Sequence, residues 1–323
     1  MDFPRTFCRT LLALALMSGG YSQAAGTAHI ITSLKPIELM VRAVATEDTR
    51  VTTLVPANAS PHTYQMRPSE RKALANADLI FWIGPSMETF LERLLTGEEF
   101  HDRAVALAPK DRAAVAEHNE EHKEHEEHQK EHAAHDQRKG HSDHDAHDHG
   151  NGEDPHIWLD PAQALTMVER IHAELSQLPN ADETALNRNL EEFRTGLADT
   201  EQRIQKQLSK MKSVSLFTYH DAFSQFAEHY DLEIAGVMTL SPERTPGARH
   251  LAEVQDKLTR ARNPCLLTEP QFNRKWWRSI TDGIDITMST WDPLAADIPA
   301  DAKGYLKFQQ HLADAVTACL PAK

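Results

Sequence analysis

The chain has 323 residues, of which 25% are charged, and its formal net charge is -14 at pH 7. This acidic balance disfavours binding to nucleic acid or to anionic membrane surfaces and favours cationic ligands. The length exceeds that of one typical domain, so we expect two lobes.

The N-terminal segment has the pattern of an export signal. Two arginines precede an apolar run at residues 11–17, and Ser22-Gln23-Ala24 supplies the small residues that a signal peptidase reads. The run is too short to span a bilayer. We therefore predict that residues 1–24 are a cleaved signal peptide, that Cys8 is lost with it, and that the mature protein is soluble and periplasmic.

The first half of the mature chain alternates between strand-like and helix-like segments. Short apolar or β-branched runs lie at 30–33, 51–55, 79–83 and 104–107, with candidate helices at 37–45, 69–75 and 87–95. This alternation is typical of βαβ units with a parallel sheet. A further helix is predicted at 161–178, where Pro179-Asn180 ends it. We assign residues 25–180 to an N-terminal α/β lobe.

A histidine-rich, acidic tract interrupts this lobe at residues 117–150. It has eleven acidic and four basic residues and ten of the 19 histidines in the chain, namely His118, His122, His125, His128, His132, His135, His141, His144, His147 and His149. So few apolar groups cannot form a core, which predicts a disordered loop. Imidazoles suit zinc, copper and nickel, so we interpret the tract as a secondary metal collector. The alternative is a merely polar linker.

A long periodic segment follows at 182–211. Its apolar residues recur at helical spacing among charged ones, and only Gly196 weakens the helix. A helix of this length would extend about 45 Å. We predict that residues 181–212 form a rigid helix that links the two lobes.

The alternation resumes in the last third of the chain. We predict strands at 214–218, 232–237 and 265–268, helices at 221–230 and 246–261, further elements at 272–281 and 284–288, and a terminal helix at 305–319. Thr245 and Pro246 have the residue types of an N-cap and a first helical position. Residues 213–323 therefore form a C-terminal α/β lobe, and the two lobes face each other across a cleft.

Removal of Cys8 leaves Cys265 and Cys319 in an oxidising compartment. We expect a disulfide between them, which would connect the last helix to a strand. The rival interpretation is a pair of thiolate zinc ligands, but no CxxC motif is present to position them.

Four residues with side chains that can bind a metal lie where predicted strands or extended segments end: His62, His156, His220 and Asp292. This is the edge of an open α/β sheet where ligands bind. Zinc is usually held by four N, S or O ligands in a tetrahedron, so three imidazoles plus a carboxylate or water fit it. Manganese prefers more oxygen ligands. The other histidines outside the loop lack such settings.

At these positions the sequence resembles the periplasmic binding proteins of zinc-uptake ABC transporters. The motifs that carry the resemblance are Ser60-Pro61-His62-Thr63-Tyr64, Trp82-Ile83-Gly84-Pro85, Asp154-Pro155-His156-Ile157-Trp158-Leu159, Tyr219-His220-Asp221 and Thr268-Glu269-Pro270-Gln271-Phe272. The resemblance implies two (β/α) lobes joined by one long helix, a metal site at the lobe interface, and delivery of Zn²⁺ to a membrane permease.

The resemblance also implies that His62, His156 and His220 are the zinc ligands. Asp292 matches a ligand of the manganese class that often yields to water in zinc binders, so the resemblance leaves either Asp292 or a water as the fourth ligand. Glu269 is either a group behind the ligands or a plain strand-end acid. Pro61 replaces a Glu that some members place before the first histidine, so that carboxylate is not available here.

Two other function classes stay open at this point. Zinc hydrolases also hold their metal with three histidines and a water, although this chain has no HExxH motif and no nucleophile motif. A metal buffer or adhesin that works without a transporter is the second. We favour a monomeric, non-enzymatic binding protein for zinc.

Overall fold

The computed structural model describes residues 27–109, 154–239, 246–272 and 278–321. The predicted signal peptide and the His-rich loop lie outside these residues, so both interpretations stay predictions. The lobe boundaries given above also stay predictions.

The first sheet is formed by four parallel strands in the order β2-β1-β3-β4. The elements in chain order are β1 (His29–Thr32), α1 (Lys35–Val44), β2 (Arg50–Thr53), α2 (Pro68–Ala75), β3 (Leu79–Trp82), α3 (Thr89–Leu95) and β4 (Ala104–Ala106). Because all strands run the same way, their carboxyl ends meet at one edge of the sheet.

The second sheet repeats this arrangement as β6-β5-β7-β8. Its elements are β5 (Ser215–His220), α6 (Ser224–His229), β6 (Ile234–Thr239), α7 (Ala248–Arg260), β7 (Pro264–Thr268), α8 (Arg278–Thr281), β8 (Thr287–Thr290) and α9 (Gly304–Thr317). Two parallel sheets were predicted, and the structure confirms them.

Strands β1 and β3 of the first sheet carry apolar residues on both faces because both faces of the sheet are covered. Alternate residues of a strand point to opposite faces. Accordingly, Ile30 and Phe81 enter one hydrophobic cluster, whereas Ile31 and Ile80 enter a second one on the other face. This explains why the sequence shows continuous apolar runs there and no polar alternation.

Between the sheets lie a short 3-10 helix (Ile157–Leu159), α4 (Pro161–Leu175), α5 (Glu183–Leu208) and a second 3-10 helix (Met211–Ser213). Helix α5 has 26 residues, hence a length of about 39 Å. Its first turn is capped by Asp182, whose carboxylate accepts a hydrogen bond from the Ala185 amide at 3.0 Å.

Gly196 has a packing role in helix α5. A Cβ atom at this position would lie 2.6 Å from Cδ1 of Leu306, on helix α9. The missing side chain therefore lets the long helix approach the terminal helix closely. The sequence pattern indicated only that this glycine weakens the helix.

A single hydrophobic cluster extends through both halves of the molecule. It includes Val41 of α1, Phe193 of α5 and Phe308 of α9. Polar contacts cross the same region: the Trp158 indole donates to the Pro293 carbonyl at 2.8 Å, and the Tyr305 hydroxyl donates to the Trp158 carbonyl at 2.8 Å. The two sheets are thus held by a shared core in addition to the long helix.

The predicted disulfide between Cys265 and Cys319 is present, with a Cα–Cα distance of 5.7 Å. Cys265 lies in the interior strand β7, and Cys319 lies just beyond helix α9. The bond therefore fixes the terminal helix to the second sheet.

Several predicted boundaries differ from the observed ones. Helix α7 begins at Ala248 with Gly247 as its N-cap, so the prediction of Thr245 as the N-cap and Pro246 as the first helical residue was wrong. The helix predicted at 221–230 is shorter, because residues 221–223 form a turn. The element predicted at 284–288 is strand β8, which begins later, at Thr287. In the described parts of the chain, no helix is long and apolar enough to cross a membrane.

Candidate metal centre

The topology brings three predicted ligands to one place. His62 lies in the loop after β2, His156 directly precedes the first 3-10 helix, and His220 is the last residue of β5. Each side chain therefore comes from an independent segment. The carboxyl edges of the two sheets face each other at this point.

The three imidazoles form a compact cluster. Their ring centroids lie 5.3 Å (His62–His156), 5.2 Å (His156–His220) and 6.0 Å (His62–His220) apart. One nitrogen of each ring lies within 4.8 Å of the others. Zn–N bonds of about 2.1 Å in a tetrahedron hold nitrogens about 3.4 Å apart, so a small inward movement would complete a zinc site.

Carboxylates hold two of the rings from behind. The Asp154 carboxylate lies 2.6 Å from Nδ1 of His156, and the Glu269 carboxylate lies 2.6 Å from Nδ1 of His220. Such contacts favour the tautomer with the proton on Nδ1 and leave Nε2 free to bind metal. Nε2 of His220 is buried and has no hydrogen-bond partner among the described residues.

The Asp154 carboxylate is itself fixed by both halves of the chain. It accepts the backbone amide of His156 at 3.0 Å and the Ser224 hydroxyl, from helix α6, at 2.8 Å. Burial opposes ionisation of Asp154, but the His156 charge and these hydrogen bonds outweigh it and lower its pKa to about 2. Asp154 is therefore a permanent negative charge beside the cluster.

The histidines differ in their affinity for protons. Burial, together with the neighbouring imidazoles, lowers the pKa of His62 to about 3. Burial also acts to lower the pKa of His220, but the charge and hydrogen bond of Glu269 prevail and raise it. His62 is thus neutral and ready to bind a cation, whereas a proton competes for His220.

Asp292 is hydrogen-bonded to groups outside the imidazole cluster. One carboxylate oxygen accepts from Nε2 of Gln271 at 2.7 Å and from the Leu294 amide at 3.0 Å. The other oxygen accepts the Ala296 amide at 2.7 Å. Among the described residues, the group of clustered ligand atoms contains the three histidines and not Asp292. Its assignment as a fourth ligand stays a prediction.

The cavity in front of the imidazoles has a volume of about 10 Å³. Its polar lining consists of Ser60, His62, His156, His220, Glu269 and Gln271. This volume accommodates about one water molecule. The site therefore suits a single ion and its last coordinated water.

Sequence reasoning missed Asp154, Ser60 and Gln271 as parts of this centre. The Asp-Pro-His spacing was a usable signal, since a carboxylate two residues before a histidine can reach its Nδ1. No comparable signal exists for Gln271, whose partner Ala57 is 214 residues away in the chain. The ten histidines of the loop lie outside the described residues.

Comparisons with known proteins agree with this geometry. The sequence profile of the family described as "ZnuA: Zinc-uptake complex component A periplasmic" matches residues 30–319. A high-affinity zinc uptake system protein ZnuA from Yersinia pestis is 32% identical over 313 residues, covering 97% of this chain and 97% of the relative.

Solved structures share the fold. A crystal structure of ZnuA matches with a TM-score of 0.67 at 23% identity, covering 90% of this chain and 99% of the solved one. The periplasmic zinc binding protein TroA from Treponema pallidum matches with a TM-score of 0.67 at 18% identity, covering 91% and 99%. From the family profile and the full-length relatives, the chain belongs to the ZnuA family of periplasmic zinc-uptake components, which are metal-binding parts of a transporter and not enzymes.

Proposed function

We propose that the protein captures one Zn²⁺ at His62, His156 and His220 and delivers it to the membrane permease of an ABC transporter. The observation that carries this proposal is the cluster of three imidazoles, whose ligand nitrogens lie within 4.8 Å of one another. The cation is cargo, so the site must both bind it tightly and release it.

The donor set favours zinc as the cargo. Nitrogen ligands in a roughly tetrahedral arrangement suit zinc, whereas manganese prefers more oxygen atoms. The low pKa of His62, about 3, keeps this ligand unprotonated at neutral pH. The affinity series of divalent ions nevertheless places copper above zinc, so selectivity in the cell depends on which metal is available.

The geometry argues against hydrolysis at this centre. The space directly in front of the imidazoles, about 10 Å³, holds about one water molecule. The Asp154 and Glu269 carboxylates are bound to the imidazoles, at 2.6 Å in both cases. Neither is free to act as a general base for a metal-bound water. A site that binds and releases a metal ion accounts for the small cavity and for the carboxylates that hold the imidazoles.

We further propose that the protein works as a monomer and that the His-rich loop supplies weaker, secondary sites. Flexible residues lose conformational entropy when they form a chelate, so loop sites bind more weakly than a preorganised one. Zinc bound there would be near the chain segment that leads to His156. Transfer into the cleft would then occur by exchange of imidazole ligands.

Zinc uptake by cells tests the proposal. A strain without this protein is grown under zinc limitation with the wild-type chain, with a triple His62→Ala, His156→Ala, His220→Ala chain, or with neither. Wild type should restore growth only when the permease is present, and the triple variant should not. Equal growth with both chains would refute the proposed site.

A further inference from the structure

Gln271 is a pocket residue whose contacts join the two sheets beside the metal centre. Its amide nitrogen donates to the Ala57 carbonyl at 3.0 Å and to the Asp292 carboxylate at 2.7 Å. Ala57 follows strand β2 of the first sheet, whereas Asp292 follows strand β8 of the second. Gln271, which follows β7, therefore ties the opposing edges of the cleft together.

These partners fix which way the amide faces. Both are acceptors, so the donating NH₂ group must point toward them, and a flipped amide would place three acceptor oxygens against one another. The carbonyl oxygen of Gln271 must consequently point elsewhere. It is buried and has no hydrogen-bond donor among the described residues, although it belongs to a residue that lines the cavity.

A second buried acceptor shares this situation. The Ser60 hydroxyl, two residues before His62, is buried without a partner in the described part of the chain and also lines the cavity. Leaving a buried polar atom unpaired costs about 1–3 kcal/mol. The Gln271 oxygen can only accept, the Ser60 hydroxyl can accept, and Nε2 of His220 can bind a cation, so together these atoms suit a cation that carries a hydrogen-bond donor.

A metal-bound water has these properties. Its oxygen lone pair is occupied by the cation, and its two hydrogens require acceptors. Three imidazoles leave one position of a zinc tetrahedron free. Asp292 lies outside the group of clustered ligand atoms among the described residues, and its carboxylate accepts from Gln271 and from the amides of Leu294 and Ala296, so it would have to move to take this position.

We propose that Gln271 and Ser60 are positioning residues that hold the water completing the zinc coordination, with Asp292 holding the Gln271 amide. This inference rests on the proposed function of the triad. The Gln271 side chain then links the metal to the contact between the lobes. Its carbonyl oxygen accepts from the water on the zinc, and its NH₂ group donates to the Ala57 carbonyl. Loss of the Gln271–Ala57 bond should therefore speed release of the cargo.

Zinc affinity and dissociation rate of single variants provide the first test. Ser60→Ala and Gln271→Ala should each weaken zinc binding about 10- to 100-fold, the range found for groups behind metal ligands. Gln271→Ala should also raise the dissociation rate more than Ser60→Ala, because only Gln271 crosses the cleft. Gln177→Ala is the matched control, since the Gln177 amide donates only to the Ala173 carbonyl on an exposed helix end.

The double variant separates a shared water from two unrelated packing effects. If both residues hold one water, removal of the first weakens the role of the second, and the double variant loses less affinity than the product of the single losses. Strictly multiplicative losses would contradict the proposal. Thermal unfolding of the metal-free variants shows whether each of them still folds.

A crystal structure of the zinc-loaded protein decides the assignment. We expect three imidazoles and one water on the zinc, with the water bonded to the Gln271 carbonyl and the Ser60 hydroxyl. A carboxylate oxygen of Asp292 on the zinc would overturn the proposal. So would variants of Ser60 and Gln271 that bind zinc within about twofold of wild type. If His62→Ala abolished binding in that same series, the triad would stand and this inference alone would fail.

Discussion

Replacement of Glu269 by glutamine removes one negative charge behind His220 while keeping an oxygen that can accept from Nδ1. The carboxylate lies 2.6 Å from that nitrogen, and the side chains of Glu269 and His220 are 3% and 6% exposed. Solvent therefore screens this pair little. Loss of such a partner typically weakens metal binding 10- to 100-fold, or about 1.4–2.7 kcal/mol.

The effect of Glu269→Gln on zinc affinity should depend on pH. Glu269 raises the pKa of His220, so in the wild type a proton competes with zinc at this ring as the pH falls through the raised value. In the variant, burial would lower that pKa, and proton competition would begin only at a more acidic pH. The variant's deficit is therefore largest at alkaline pH and shrinks toward acidic pH.

Competition titrations against a chelator from about pH 8 to about pH 5 measure this profile. Glu99→Gln is the control, because Glu99 forms an exposed ion pair with Arg71 at 2.6 Å. An unchanged affinity together with an unchanged pH profile in Glu269→Gln would refute the reasoning. A uniform deficit at all pH values would show that Glu269 acts only through packing.

Three further predictions concern the frame around the site. Reduction of the Cys265–Cys319 bond, which spans 54 residues, should lower the free energy of unfolding by about 4 kcal/mol, measured by denaturant unfolding with and without reductant; an unchanged midpoint would contradict this. Because a long helix and a shared core join the lobes, small-angle scattering should give nearly the same radius of gyration with and without zinc, and a large decrease on binding would count against a rigid frame. Deletion of residues 117–150 should remove weak zinc binding and keep one tight site in calorimetric titration; loss of the tight site would show that the loop supplies a primary ligand.

Sequence periodicity was sufficient to predict the sheets and the approximate position of the long helix. It placed the end of that helix at residue 211, whereas α5 ends at Leu208 and the next residues form a 3-10 helix, Met211–Ser213. An apolar residue such as Met211 continues the helical spacing in either conformation. The pattern alone therefore cannot distinguish the two.

His62 and His220 could be selected from the sequence because each follows a strand, and the carboxyl ends of parallel strands form the ligand-binding edge of an α/β sheet. His156, which precedes a 3-10 helix, was indicated by its motif. The contacts around these histidines could not be predicted from the sequence. His220 and Glu269 are 49 residues apart, and their pairing depends on which way two buried side chains point. The contact between Gln271 and Ala57 depends further on how the two lobes are packed.

The central claim is that His62, His156 and His220 form the tight zinc site, and zinc titration of three single alanine variants tests it most directly. The titrations use the full chain and the chain without residues 117–150, so that loop sites cannot mask a loss. His101→Ala is the control, since His101 is 53% exposed and lies outside the cluster. Each cluster variant should bind zinc more than about 100-fold more weakly than the control while unfolding cooperatively. Tight binding of one zinc with wild-type affinity by all three variants would contradict the account.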